Sequence, residues 1–156
     1  MVQRLDQPPV EGRDFQNVTN ELVMPAGTFF DASSIHAIST ATLAELRRLE
    51  PGLDFAVERF RPNLLIKTSE GATGFVEEGW IGGVLAIGSS LRLRVEGGCP
   101  RCVITTLAQG DLPDNMEILR ATARHNRVTA GIRLSVLEPG PMAVGDPVRW
   151  WAGAMG

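Results

Sequence analysis

The chain has 156 residues, is 44% apolar and 21% charged, and carries a formal net charge of -3. That length suits a single domain of roughly 100–150 residues, with a core large enough to need no disulfide or structural metal. The acidic balance argues against a nucleic-acid binder, and no run approaches the ~18 apolar residues of a membrane span.

Residues 1–15 contain no apolar stretch of the signal-peptide kind. Two cysteines three positions apart make no disulfide framework, so a reducing, cytoplasmic setting is expected. Residues 1–26, with Pro8-Pro9, read as an irregular lead-in and a first strand, and residues 27–156 as one domain. The basic side chains are fourteen arginines and one lysine, Lys67, so anion recognition here falls to planar guanidinium groups.

Asp31-Ala32-Ser33-Ser34-Ile35-His36 reads as a loop able to face a site. Neither serine sits in a Gly-x-Ser-x-Gly elbow, which disfavours a hydrolase triad, and His36 reads as a hydrogen-bonded structural residue. A helix is expected over about residues 40–49. Ser39 or Thr40 caps it, Leu43 and Leu46 share a face, and Pro51-Gly52 ends it.

Arg59-Phe60-Arg61-Pro62-Asn63 reads as an extended segment, because Pro62 disfavours helical geometry at Arg61. Arg59 and Arg61 then project from one face, as a pair suited to phosphate or carboxylate or as two solvated side chains. A strand over residues 63–67 follows. Phe75-Val76-Glu77-Glu78-Gly79-Trp80 reads as a packed turn, since adjacent carboxylates cannot straddle a substrate as general acid and base. Leu91-Arg92-Leu93-Arg94-Val95 alternates, with its aliphatic residues inward.

Cys99-Pro100-Arg101-Cys102 lacks two further ligands for zinc. Residues 102–106 read as a strand, and that context does not suit a thioredoxin-like pair. Two small buried core residues remain one reading; the other is a thiolate at Cys102 favoured by the neighbouring Arg101. A second helix is expected over residues 114–126, with Asp114 as its cap and Met116, Leu119 and Ala123 as its apolar stripe. Strands over 128–137, with Ile132, Leu134 and Val136 on one side, and over 141–151 complete the chain. Trp150-Trp151 packs that last strand or marks a dimer surface. The whole is mainly β: a barrel or sandwich with two to three short helices.

Taken in order, these stretches resemble the MOSC domain, the module named for the C-terminal part of molybdenum cofactor sulfurase. The resemblance rests on Asp31–His36, Arg59-Phe-Arg-Pro-Asn63, Phe75-x-Glu-x-x-Trp80, Cys99-Pro-Arg-Cys-Val-Ile-Thr-Thr106, Gln109-Gly-Asp-Leu-Pro113 and Val144-Gly-Asp-Pro-Val148. It spans residues 27–151 and is closest to short, stand-alone bacterial members without a separate N-terminal β-barrel domain. It implies a MOSC-type β-barrel and makes Cys102 the functional thiol, as a persulfide carrier or a molybdenum ligand. Arg59, Arg61, Asn63, Arg101, Thr105 and Thr106 would then line the pocket of the molybdenum cofactor, a molybdopterin.

The family is also associated with pyridoxal phosphate. Lys67 is the sole lysine for a Schiff base, and no motif around it supports that role. Three functions stay open: a sulfur carrier or cofactor-binding module, a molybdenum-dependent reductase of N-hydroxylated compounds, and a non-catalytic scaffold. The first two require a partner protein, as sulfur donor or as electron donor, because the sequence has no flavin, haem or iron–sulfur signature. A monomer and a homodimer are both compatible with the sequence.

Overall fold

A computed structural model describes residues 35–152 of the chain. The elements are β1 (Ile35–Ser39), α1 (Thr40–Leu49), α2 (Val57–Phe60), β2 (Leu64–Ile66), β3 (Val84–Ile87), β4 (Leu91–Pro100), α3 (Glu117–Asn126), β5 (Thr129–Glu138) and β6 (Val148–Trp151). Two 3-10 turns, Val76–Trp80 and Val103–Thr106, join them. The six strands form one sheet in the order β2-β1-β5-β4-β3-β6, a half-barrel in which only β1 and β2 run parallel. The lead-in and first strand expected before residue 27, and the Asp31–Ser34 part of the expected loop, lie outside the described residues.

The alternation at 91–95 is as read: Leu91, Leu93 and Val95 are buried. They join Ala37, Ile66, Leu85, Ile87, Ile132 and Leu134 in a core on one face of the sheet. A second core holds Ile38, Leu43, Leu46, Phe55, Phe60, Ile118, Ala121 and Ala130, which brings the three helices against the other face at β1 and β5. Adjacent residues Ala37 and Ile38 thus point into different cores, as strand alternation requires.

Helix α1 matches its expected span. Ser39 Oγ accepts the Thr42 N–H at 3.0 Å as the N-cap. Beneath it, the buried Glu77 accepts the Ser39 and Thr42 hydroxyls, each at 2.6 Å. A carboxylate here also suits the positive end of the helix dipole. Reading Glu77 as structural holds.

Several expectations need correction. Helix α3 begins at Glu117, whose N–H is accepted by Asn115 Oδ1, so Asp114 is not the cap. Its buried face is Ile118, Ala121, Thr122 and Asn126; Met116 and Ala123 are exposed. The polar members of that face are satisfied locally, Thr122 Oγ1 donating to Leu119 O and Asn126 Nδ2 to Thr129 O. Val136 is exposed although Ile132 and Leu134 are buried, because β5 leaves the core after Leu134. The last strand is only Val148–Trp151.

Two corrections touch the candidate site. Residues 103–106 form a 3-10 turn, since Thr105 Oγ1 and Thr106 Oγ1 donate to the carbonyls of Cys102 and Val103, three residues back. Arg59-Phe60 ends helix α2, and Arg61 is left-handed at φ 49°, so the two arginines share no strand face. Among the described residues no helix is long and apolar enough to cross a membrane.

Candidate functional site

Strand β4 ends at Pro100, and the Arg101 N–H continues the pairing by donating to Val128 O at 2.7 Å. Cys102 follows in extended geometry as the N-cap of the second 3-10 turn. Its carbonyl accepts the Thr105 N–H at 3.2 Å and the Thr105 hydroxyl at 3.0 Å. The thiol is exposed while its backbone is held on both sides.

Arg101 does not turn to its sequence neighbour. Its Nη2 donates to Phe60 O at 2.8 Å, and its Nη1 donates to Cys99 Sγ at 3.1 Å. The guanidinium also lies over the Phe60 ring, 5.6 Å from the centroid. Its Nε is buried with no hydrogen-bond partner among the described residues. Arg101 therefore bolts the end of β4 to the end of α2.

His36 completes this cluster, with Nε2 3.4 Å from Arg101 Nη1 and 3.3 Å from Ala130 O. Burial, and then the Arg101 charge, lower its pKa from 6.5 to about 4, so the imidazole is neutral near pH 7. The ring has room because residue 131 is glycine. A Cβ there would lie 2.4 Å from His36 Nε2 and 2.4 Å from Ala37 O, and φ is +87°. Cys99, Phe60 and Gly131 were not among the expected site residues, and His36, expected at the end of a loop able to face a site, lies instead in strand β1. Nothing in the sequence spacing links them, because β1, α2, β4 and β5 meet only in the fold.

The other expected site residues divide. Arg59 is 1% exposed. Its Nε donates to Asp54 O and its Nη2 to Pro113 O, tying the approach to α2 to the approach to α3. Its Nη1 is buried without a partner among the described residues. Asn63 works on the backbone: its Oδ1 accepts the His36 N–H, and its own N–H donates to His36 O, each at 2.8 Å. The Thr105 and Thr106 hydroxyls, both buried, serve the turn. Cys102, Arg61 and Asn63 are exposed, while Arg59, Thr105 and Thr106 are buried and Arg101 is half-buried.

Among the described residues no three His, Cys, Asp or Glu side chains converge as a metal site. Lys67 is exposed just beyond β2. A concavity of about 500 Å³ lined by Gly88, Ser89, Met142, Asp146 and their neighbours opens at the start of β4. Cys102 lies beyond the other end of that ten-residue strand and does not line the concavity.

A six-stranded half-barrel with helices against one face, and an exposed cysteine just after β4, defines a small β-rich domain. The model of the MOSC domain matches residues 25–149, and the chain belongs to that family. In fold it is similar to YiiM from Geobacillus stearothermophilus, with a TM-score of 0.55 and 18% identity over 76% of this chain. The match covers 54% of that structure, so the chain spans about half its length. No curated protein matches the chain significantly.

Proposed function

We propose that the protein carries sulfur on Cys102 as a persulfide. The observation that carries this reading is the exposed thiol on a backbone fixed from both directions, by Val128 O at Arg101 and by Thr105 at the Cys102 carbonyl. A carrier thiol has to meet first a donor and then an acceptor, and an exposed position admits both. Loading is a thiolate exchange: Cys102 S⁻ attacks the outer sulfur of a donor persulfide, takes it as Cys102–S–SH, and releases the donor thiolate.

The test is intact mass after treatment with inorganic polysulfide. Wild-type protein is expected to gain one sulfur atom, lost again on reduction, and Cys102→Ser to gain none. Equal loading of Cys102→Ser would refute the assignment.

The same exposed thiol is a soft donor of the kind a molybdenum cofactor takes, and Arg61 offers an exposed guanidinium for its phosphate. Arg59 Nε and Nη2, Asn63 Oδ1 and the Thr105 and Thr106 hydroxyls bond within the chain, which leaves Arg61 and the exposed Asn63 amide nitrogen as the groups best placed to meet such a cofactor. Molybdenum that copurifies with wild-type protein and not with Cys102→Ser would favour this second reading over sulfur carriage.

A further inference from the structure

The two cysteines have Cys-x-x-Cys spacing in the sequence, and the fold turns them to different surroundings. We infer that Cys102 is a one-thiol site: sulfur placed on it leaves only to a nucleophile of another molecule, never by attack of Cys99. This inference rests on the reading of Cys102 as a sulfur carrier.

Three observations carry it. The first is distance. Cys99 lies in β4, Pro100 still pairs with Thr129, Arg101 N–H reaches Val128 O, and Cys102 has φ -125° and ψ -175°. Three residue steps at ~3.3 Å each put the two Cα atoms about 10 Å apart, across a register shift between Gly98 and Pro100. A disulfide needs roughly 4.4–6.8 Å.

The second is direction. Side chains two apart on a strand share a face, and Arg101 Nη1 does reach Cys99 Sγ at 3.1 Å. Cys102, one residue beyond Arg101, is thereby sent to the opposite side, where it is exposed. The third is rigidity. Bringing the sulfurs together would break the Arg101–Val128 bond, both Thr105 bonds to the Cys102 carbonyl, and the Arg101 clamp on Phe60. Cys99 is then an anchor point for Arg101 rather than a resolving thiol.

Two fates of the persulfide are distinguished. Internal resolution would be Cys99–S⁻ attacking the inner sulfur of Cys102–S–SH, giving a Cys99–Cys102 disulfide and HS⁻. The geometry forbids that step. External transfer is R–S⁻ attacking the outer sulfur, giving R–S–SH and restoring Cys102–S⁻, with no net oxidation of the protein. The acceptor is therefore a nucleophile of another molecule, such as a small or protein-borne thiol, that itself approaches the surface.

The experiment loads wild type and Cys99→Ser with polysulfide, removes the excess, and follows sulfide release and intact mass. Equal persulfide lifetimes without added thiol, and prompt transfer on adding a monothiol, are expected. Faster sulfide release by wild type, with an intrachain disulfide as product, overturns the inference. Oxidation of unloaded wild type with diamide separates this from the carrier reading. The native protein is expected to form no intrachain disulfide, and the same chain in concentrated urea to form it readily. If polysulfide loads neither protein, the carrier reading fails while the diamide comparison still decides the geometry. An intrachain disulfide formed as fast in the native state as in urea sinks the one-thiol assignment.

Discussion

Arg101 gives its guanidinium to Cys99, two residues back along β4 at 3.1 Å, and leaves Cys102, its immediate neighbour, without a hydrogen bond from it among the described residues. The positive charge that sits beside Cys102 in the sequence is thus spent on the inner side of the sheet end, where it also meets Phe60 O and the Phe60 ring. Replacing Arg101 by Leu removes both hydrogen bonds and the ring contact. The expected cost is about 2–3 kcal/mol, at ~1 kcal/mol per hydrogen bond and a somewhat smaller ring term. Urea unfolding of Arg101→Leu against wild type measures it. A change below about 0.5 kcal/mol would place this arginine among ordinary surface side chains.

Gly131 is expected to tolerate no side chain. Its φ of +87° disfavours every L-residue, and a Cβ would meet Ala37 O and His36 Nε2 at 2.4 Å. One of those atoms is backbone of the paired strand β1, so the clash cannot be relieved by a rotamer change. Gly131→Ala should lose about 3 kcal/mol or more, from left-handed strain plus overpacking. A melting temperature equal to that of wild type would contradict this packing.

The neutral His36 makes stability depend on pH in a definite sense. Its folded pKa of about 4 lies below the unfolded 6.5, so between those values the unfolded chain binds the extra proton. Its contribution is therefore complete above pH 6.5 and is lost as pH falls toward 4, where protonation would set a second cation against Arg101. In paired denaturation curves, His36→Gln should flatten part of the wild-type decline between pH 6.5 and 4. Parallel curves for the two proteins across that window would show that His36 titrates normally.

How far the sequence revealed these features depended on whether the signal was local. Helix α1 was readable because its cap Ser39 and its stop Pro51-Gly52 are adjacent to it, and β4 because Leu91, Leu93 and Val95 alternate. The branched run Val103-Ile104-Thr105-Thr106 carried strand propensity, but two threonine hydroxyls bonding three residues back favoured a 3-10 turn. The stripe of α3 was misplaced because Thr122 and Asn126, both polar, occupy its buried face with their hydrogen bonds met nearby. Arg59 was read as outward because a four-residue helix is too short to show a period. Its burial follows from Phe55 and Phe60 entering the helix-side core on either side of it. Cys102 was singled out by the neighbouring Arg101 and by family resemblance, and the fold leaves it exposed while turning Arg101 to Cys99. The cluster of Arg101, Cys99 and His36 joins β1 to β4 and has no linear signature.

Glu77 lies wholly buried beneath α1 and accepts both the Ser39 and Thr42 hydroxyls at 2.6 Å and the Ser39 N–H at 3.3 Å. Removing it strands three donors at the start of the helix and withdraws negative charge from the positive end of its dipole. Glu77→Ala should cost about 3 kcal/mol or more, well beyond the ~1 kcal/mol of a surface cap. Chemical denaturation of the variant checks this, and a loss no larger than an ordinary cap would show that water replaces the carboxylate.

The turn from α3 into β5 contains two consecutive left-handed residues, Arg127 at φ 50° and Val128 at φ 63°. A β-branched residue in that region is strained, at about 1–3 kcal/mol, and persists only where its surroundings hold it. The holding contacts are visible: Val128 N–H donates to Thr122 O at 3.0 Å, and Val128 O takes the Arg101 N–H at 2.7 Å. The strained carbonyl thus fixes the backbone one residue before Cys102. Val128→Gly keeps the conformation without the Cβ penalty and should raise stability by up to about 1 kcal/mol while leaving the Cys102 labelling rate unchanged. Val128→Pro forbids the positive φ and removes the N–H, so it should destabilise the chain and change that rate together. Were the glycine variant less stable than wild type, the left-handed geometry would not be storing strain, and the link between this turn and the thiol would have to come from side-chain packing of Val128 instead.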